Sequence, residues 1–165
     1  MPLVRWTLPG LAVLLCLATI TSRPVIAAGH KTSAVKIYLV NIHGKGLSCG
    51  GGLVSVVRRI PPTRAPLTAA LRQLLANRHP CGEAGPCSAF ANSRLTIRRV
   101  AVVHGVAVIH FSGALYLGGV CDAPRVRGQL RATALQFPAV HTVSVYINGR
   151  PLDRVLSPRG NRGRS

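Results

Sequence analysis

Two rhythms of apolar residues alternate along this chain. Ala34 to Val40 has a period of two and sets Val35, Ile37 and Leu39 on one face, which predicts a strand. The loop GKGLSCGGG follows. Leu53 to Ile60 predicts a second strand, ended by Pro61-Pro62, since neither proline can donate to a ladder. Pro66 suits the first turn of a helix. Beyond it, Leu67, Ala70, Leu71, Leu74 and Leu75 make one apolar stripe at helical spacing. That helix should end near Asn77, ahead of Pro80.

The second half repeats the scheme. Leu95 to Val103 and Val106 to Phe111 read as two strands joined by a tight His104-Gly105 turn. Ser112 to Val120 reads as a loop. Asp122 is placed to cap a second helix, with Pro124 in its first turn and Val126, Leu130, Ala134 and Phe137 as its buried stripe. Pro138 stops it. From His141 to Asn148 strict alternation returns: Val143, Val145 and Ile147 face the core, while Thr142, Ser144 and Tyr146 face out. Asn148-Gly149 then turns the chain, and Arg150 to Leu152 returns as a short strand. The order β-β-α-β-β-α-β implies an α+β fold, a two-layer sandwich. Its sheet would be mixed or antiparallel, with two helices packed on one face and the other face partly solvated.

Composition refines this picture. A chain of 165 residues is long enough for one domain with a sizeable core. With 48% hydrophobic and only 4% aromatic residues, that core must be mostly aliphatic. Residues 1–28 read as a signal peptide: Arg5, an apolar run from Leu8 to Ile20, then small residues at Ala27 and Ala28 for cleavage. A retained membrane anchor competes with this reading, but the run is shorter than the ~20 residues a span needs. Cys16 also raises a lipid-attachment site, although Leu15 before it is not small. Residues 34–156 then form the domain, and residues 157–165, SPRGNRGRS, a disordered basic tail.

Signal removal leaves four cysteines, Cys49, Cys81, Cys87 and Cys121. An even number in an exported chain points to two disulfides, with three pairings open. Cys81 and Cys87 bracket a Gly- and Pro-rich turn and are placed to close it, which leaves Cys49 for Cys121. The location inferred from leader and cysteines is extracytoplasmic: periplasm, cell surface or secreted.

Charge is the other strong feature. The formal net charge is +18, and without Arg5 and Arg23 the mature chain has 19 basic and 3 acidic residues, a net charge of +16. Such a surface attracts polyanions: cell-wall polymers, lipopolysaccharide, acidic head groups or nucleic acid. A solvated surface in an arginine-rich proteome is the plainer reading. No aromatic residues interleave with the arginines, which argues against stacking on single strands and against specific nucleic-acid binding.

Reaction chemistry finds little to work with. Glu83, Asp122 and Asp153 are scattered, so paired carboxylates for acid–base hydrolysis are not expected. No GxSxG stands at a strand-to-helix elbow, since GLSCG, Gly46 to Gly50, lies in the loop between two predicted strands. GKGLSCGGG has Lys45 ahead of most of its glycines and no GK[ST], unlike a phosphate-binding loop. Cys49 with His43 is a formal nucleophile pair, and His79 with Cys81 and Cys87 a formal zinc set, but disulfides account for these cysteines better. His104, His110 and His141 are explained by surface or edge positions. No catalytic residue, metal ligand, cofactor or small-molecule substrate is expected.

Several stretches, in this order and spacing, carry a family likeness. They are VKIYLV, LVSVVRRIPP, PLTAALRQLLAN, VAVVHGVAVIHFSG and RATALQFPAVHTVSVYINGRPL. Over Val35 to Leu152 the chain resembles the GerMN domain of sporulation and spore-germination proteins. It departs from the family at LLANRHPCGEAGPC and in its cysteines. The resemblance implies an extracytoplasmic, non-catalytic module, similar to the ring-building modules of secretion and sporulation complexes. It supplies no catalytic residues.

The expected function is therefore an exported envelope interaction or scaffold module that binds a protein partner or itself. The alternative is a cationic binder of anionic envelope polymers or nucleic acid. Arg58, Arg59, Arg98, Arg99 and Tyr146 are the candidate contact residues. On the cysteine pairing, mass spectrometry of a non-reduced digest should find Cys81 linked to Cys87 and Cys49 to Cys121. A peptide joining Cys49 to Cys81 or Cys87 would exclude it.

Overall fold

In the computed structural model, which describes residues 32–157 apart from Glu83, the chain opens with an antiparallel ribbon. It consists of β1 (Ser33–Asn41) and β2 (Gly52–Ile60). The segment predicted as a signal peptide lies outside the described residues, as does the predicted tail after Ser157. In the ribbon, Ile37 sits opposite Val56 and Leu39 opposite Val54, so one face is apolar. Helix α1 (Pro66–Ala76) starts with its proline inside the first turn and buries Leu67, Ala70, Leu71 and Leu74.

A four-stranded sheet follows, in the order β3-β4-β5-β6. Strands β3 (Arg94–Val103) and β4 (Val106–Ala114) form a hairpin. His104 and Gly105 close it with φ of 48° and 79°, the left-handed turn whose twist matches the flanking strands. Gly105 also docks the next strand. Its carbonyl accepts the N–H groups of His141 and Thr142 at 2.7 and 3.1 Å. A Cβ there would lie 2.6 Å from the His141 ring. Strand β5 (Thr142–Ile147) runs parallel to β4, and β6 (Arg150–Pro151) returns antiparallel. Asn148, at φ 51°, exchanges two side-chain bonds with the Gly113 backbone at 2.9 and 2.8 Å, which prolongs the pairing past the strand end.

Helix α2 (Asp122–Leu135) joins α1 on the core face of this sheet. Ile37, Leu71, Leu74, Phe90, Ile109, Phe111 and Leu130 are fully buried between the layers. The α+β class, the mixed pairing and the helices on one sheet face follow the sequence pattern. Four details go beyond or against it. The strands divide into two sheets, not one. Strand β4 continues to Ala114, into the expected loop. A short helix α3 (Leu152–Leu156) follows β6 and buries Leu152 and Leu156. Asp122 is not the cap: Cys121 holds that position, while Asp122 accepts the Gly118 N–H at 2.7 Å and pairs with Arg125.

The division into two sheets has a side-chain cause. Beside β1, where another strand would pair, stands a polar row at helical spacing: Gln129 and Thr133 on α2, and Gln136 at its C-terminal cap. Gln129 donates to the Tyr38 carbonyl at 2.9 Å and accepts the Ala89 N–H at 2.8 Å. The Thr133 hydroxyl oxygen accepts the Tyr38 N–H at 3.2 Å. Gln136 accepts from the Lys36 N–H at 2.8 Å and donates to the Lys36 carbonyl at 2.6 Å. Val40 completes the edge by exchanging two 2.8 Å bonds with Cys87. Every outward backbone group from Lys36 to Val40 is thereby paired, and no strand can be added.

The disulfides hold both ends of this seal. Cys81–Cys87, with Cα atoms 4.9 Å apart, closes the turn that bridges to Val40. Cys49–Cys121, at 5.3 Å, ties the β1–β2 loop to the start of α2.

Gln129 and Thr133 are both fully buried, so their removal leaves buried backbone groups without partners. Gln129→Met, similar in length, should destabilise by about 2–4 kcal/mol and Thr133→Val by about 1–2 kcal/mol in urea unfolding. Wild-type stability for Gln129→Met would show that the edge is sealed some other way.

Candidate interaction surface

The four-stranded sheet has a second face, and no described element covers it. Outward residues of neighbouring strands line up there by register. Arg99 stands opposite His110, His110 opposite Tyr146, and Tyr146 opposite Pro151, so one row crosses all four strands. The His110 and Tyr146 rings stack with centroids 4.8 Å apart and planes 10° from parallel. Towards the hairpin end the face becomes aliphatic, with Ala101, Val103, Val106 and Val108; Val103 is 52% exposed.

A β-bulge makes this face more basic. The β3–β4 register slips between Ile97 and Arg99, with Arg98 as the extra residue. Ile97 and Val100 both keep contact with the core across the slip. Arg98 and Arg99, between them, are both exposed on the outer side. The slip was legible in the sequence: Leu95 and Ile97 keep one parity, Val100 and Val102 the other, with two arginines between.

Neither arginine has a carboxylate partner among the described residues. Asp122 pairs with Arg125 at 3.4 Å, and Asp153 with Arg127 at 2.7 Å. The five candidate contact residues therefore separate. Arg98, Arg99 and Tyr146 share the open sheet face. Arg58 instead lines a groove of about 590 Å³ with Gln73, Asn77, Arg78 and His79 at the end of α1. Arg59, next in the strand, faces the opposite side of the ribbon. His110 is the residue that the sequence did not single out. Its partner is 36 positions away, and only the parallel β4–β5 pairing brings the rings together.

The formal catalytic and metal sets do not assemble. Cys49, paired with Cys121, cannot act as a thiolate beside His43. Cys81 and Cys87 are joined to each other, and His79 Nε2 lies 2.9 Å from the Ala84 carbonyl oxygen. Among the described residues no three His, Cys, Asp or Glu side chains converge on a point.

The sequence profile of the Germane family, described as sporulation and spore germination, matches residues 36–153. The chain belongs to the Germane family. The matched range runs from β1 into α3 and takes in the sealed edge and the open sheet face alike. Among solved structures, the first GerMN domain of the sporulation protein GerM from Bacillus subtilis superposes with a TM-score of 0.54. It shares 20% identity over 72% of this chain and 85% of that one. The tandem GerMN domains of the same protein give a TM-score of 0.53 at 19% identity, covering 72% of this chain and 40% of theirs. At such identities the likeness is one of fold. No curated protein sequence matches the chain.

Within this Germane-family fold, the stacked pair is a measurable interaction. A double-mutant cycle of His110→Ala and Tyr146→Ala should give a coupling of about 0.5–1 kcal/mol in thermal or urea unfolding. Additive effects would show that the rings are mere neighbours.

Proposed function

We propose that this Germane-family domain is an extracytoplasmic, non-catalytic interaction module of the cell envelope. It docks a protein partner, or a second copy of itself, on the outer face of the four-stranded sheet. The observation that carries this reading is the gathering of Arg98, Arg99, His110 and Tyr146 on a face left uncovered. Arginine and tyrosine dominate the energetic centres of protein interfaces, because they bring large contact area together with directional hydrogen bonding. The aliphatic end beside them supplies area to bury. Export is supported by the two cysteine pairs, since such bonds persist in oxidising compartments, and by the leader-like residues 1–28. Absence of catalysis is supported by the scarcity of acids, two of which are committed to ion pairs.

A specific observation keeps the second reading in view: 21 basic residues against 3 acidic ones favour adhesion to anionic polymers. The two readings part in salt and in the effect of single substitutions. Light scattering on the purified protein and affinity capture from envelope extract should reveal a dimer or a defined partner. Arg99→Ala and Tyr146→Ala should each weaken that complex by about tenfold or more, as truncation of an interface centre does. Full binding by both variants would refute the surface. Affinity that falls linearly with the logarithm of salt and ignores Tyr146→Ala would establish the polyanion reading in its place.

A further inference from the structure

The structure closes the outer edge of β1 with care; of the long edges left unpaired among the described residues, those of β2 and β3, the latter lies beside an apolar groove. We infer that β3 is a docking strand for an extended segment of a partner protein in which apolar and acidic residues alternate. This rests on the reading of the domain as a protein-binding module and names the partner's chemistry.

Hydrogen-bond parity sets the backbone that β3 offers. Val103 and Val106 flank a two-residue turn and bond to each other, so Ala101 and Arg99 also bond towards β4. The N–H and C=O groups of Val100 and Val102 consequently point away from the sheet. β3 is the terminal strand, and no loop or side-chain hydrogen bond among the described residues reaches those groups. The contrast with β1 is direct, because there each outward group from Lys36 to Val40 has a partner. At the far end of the sheet, β6 is two residues long and contains Pro151, a poor template for pairing.

Beside the open groups lies a groove of about 370 Å³, lined by Pro66, Leu67, Val100, Val102, Phe137 and Pro138 among others. Val102 is 43% exposed on that side. An added strand would turn alternate side chains to opposite faces of the sheet. One set would enter the apolar groove. The other would lie on the outer face next to Arg98 and Arg99, which lack carboxylate partners among the described residues. The period of two in the strand thus becomes a period of two in the ligand.

A second copy of this chain fits poorly. Pairing β3 with its own symmetry mate would bring the Arg98-Arg99 pairs of both copies onto one face, where like charges repel across strands. Nor can the chain provide the acidic strand, with only 3 acidic residues, all far apart. Charge complementarity assigns the edge to a different, acidic protein.

The test uses two capped eight-residue peptides of identical composition, four leucines and four aspartates. One alternates the two residues; the other places them in blocks. Both carry the same charge, so simple attraction to arginine treats them alike. With the isotope-labelled full chain, NMR titration should show the alternating peptide binding at least about tenfold more tightly than the block peptide, a difference of about 1.4 kcal/mol. The amides of Val100 and Val102 should gain protection from hydrogen exchange. Val102→Pro removes an outward N–H that β4 does not use, and should weaken the alternating peptide by about tenfold or more while a folded spectrum is kept. Arg98→Glu with Arg99→Glu should do the same and needs no change in backbone. Equal binding of the two wild-type titrations, or no protection at Val100 and Val102, overturns the inference without any variant. In that event, a captured envelope partner that still loses binding with Tyr146→Ala leaves the module reading standing.

Discussion

The free edge of β1 is satisfied by side chains of α2, and much of the remaining architecture follows from that. A strand edge offers alternate N–H and C=O groups that must find partners when buried. Gln129, Thr133 and Gln136 meet those of Lys36 and Tyr38, and the Cys87 backbone meets those of Val40. Because α2 occupies this position, the β1–β2 ribbon cannot merge with the larger sheet. The helix is then fixed against the ribbon by hydrogen bonds on one side and against the sheet by Val126, Leu130 and Ala134 on the other. The Cys49–Cys121 bond holds its start to the ribbon's loop.

With both helices engaged on the core side, no element among the described residues remains to cover the outer face of the four-stranded sheet. That face gains its character from two local devices. The bulge at Arg98 places two arginines in succession on one side, and the parallel pairing of β4 with β5 stacks His110 on Tyr146. The treatment of edges is uneven in a consistent way. β1 is sealed and β6 is short; β2 and β3 keep open backbone, and that of β3 lies beside an apolar groove. Edges of this kind either aggregate or bind, and a dense positive charge suppresses pairing between identical copies.

Membership of the Germane family sets this arrangement in a fold shared with GerMN domains, at an identity of about one residue in five. What distinguishes Arg98 and Arg99 among the many cations without a carboxylate partner is their place together on the open sheet face. Asp122 and Asp153 neutralise Arg125 and Arg127 on and beside α2, and leave the arginines of β3 available to a ligand.

Local patterns sufficed for every long element. The stripe Leu67, Ala70, Leu71, Leu74 defined α1, the alternation Val143, Val145, Ile147 oriented β5, and His104-Gly105 and Asn148-Gly149 marked both tight turns. Each of these depends on neighbours within a few positions, and so it can be read from the order of residues alone. Gln129 and Thr133 look like ordinary solvated positions in such a reading; they are buried because β1, some 90 residues earlier, brings unpaired backbone to them. The division into two sheets, the stacking of His110 on Tyr146 and the separation of Arg58 from Arg98 have the same origin. Periodicity decides which side of an element faces inward, but only long-range packing decides what stands opposite, because no local preference encodes a partner in another part of the chain.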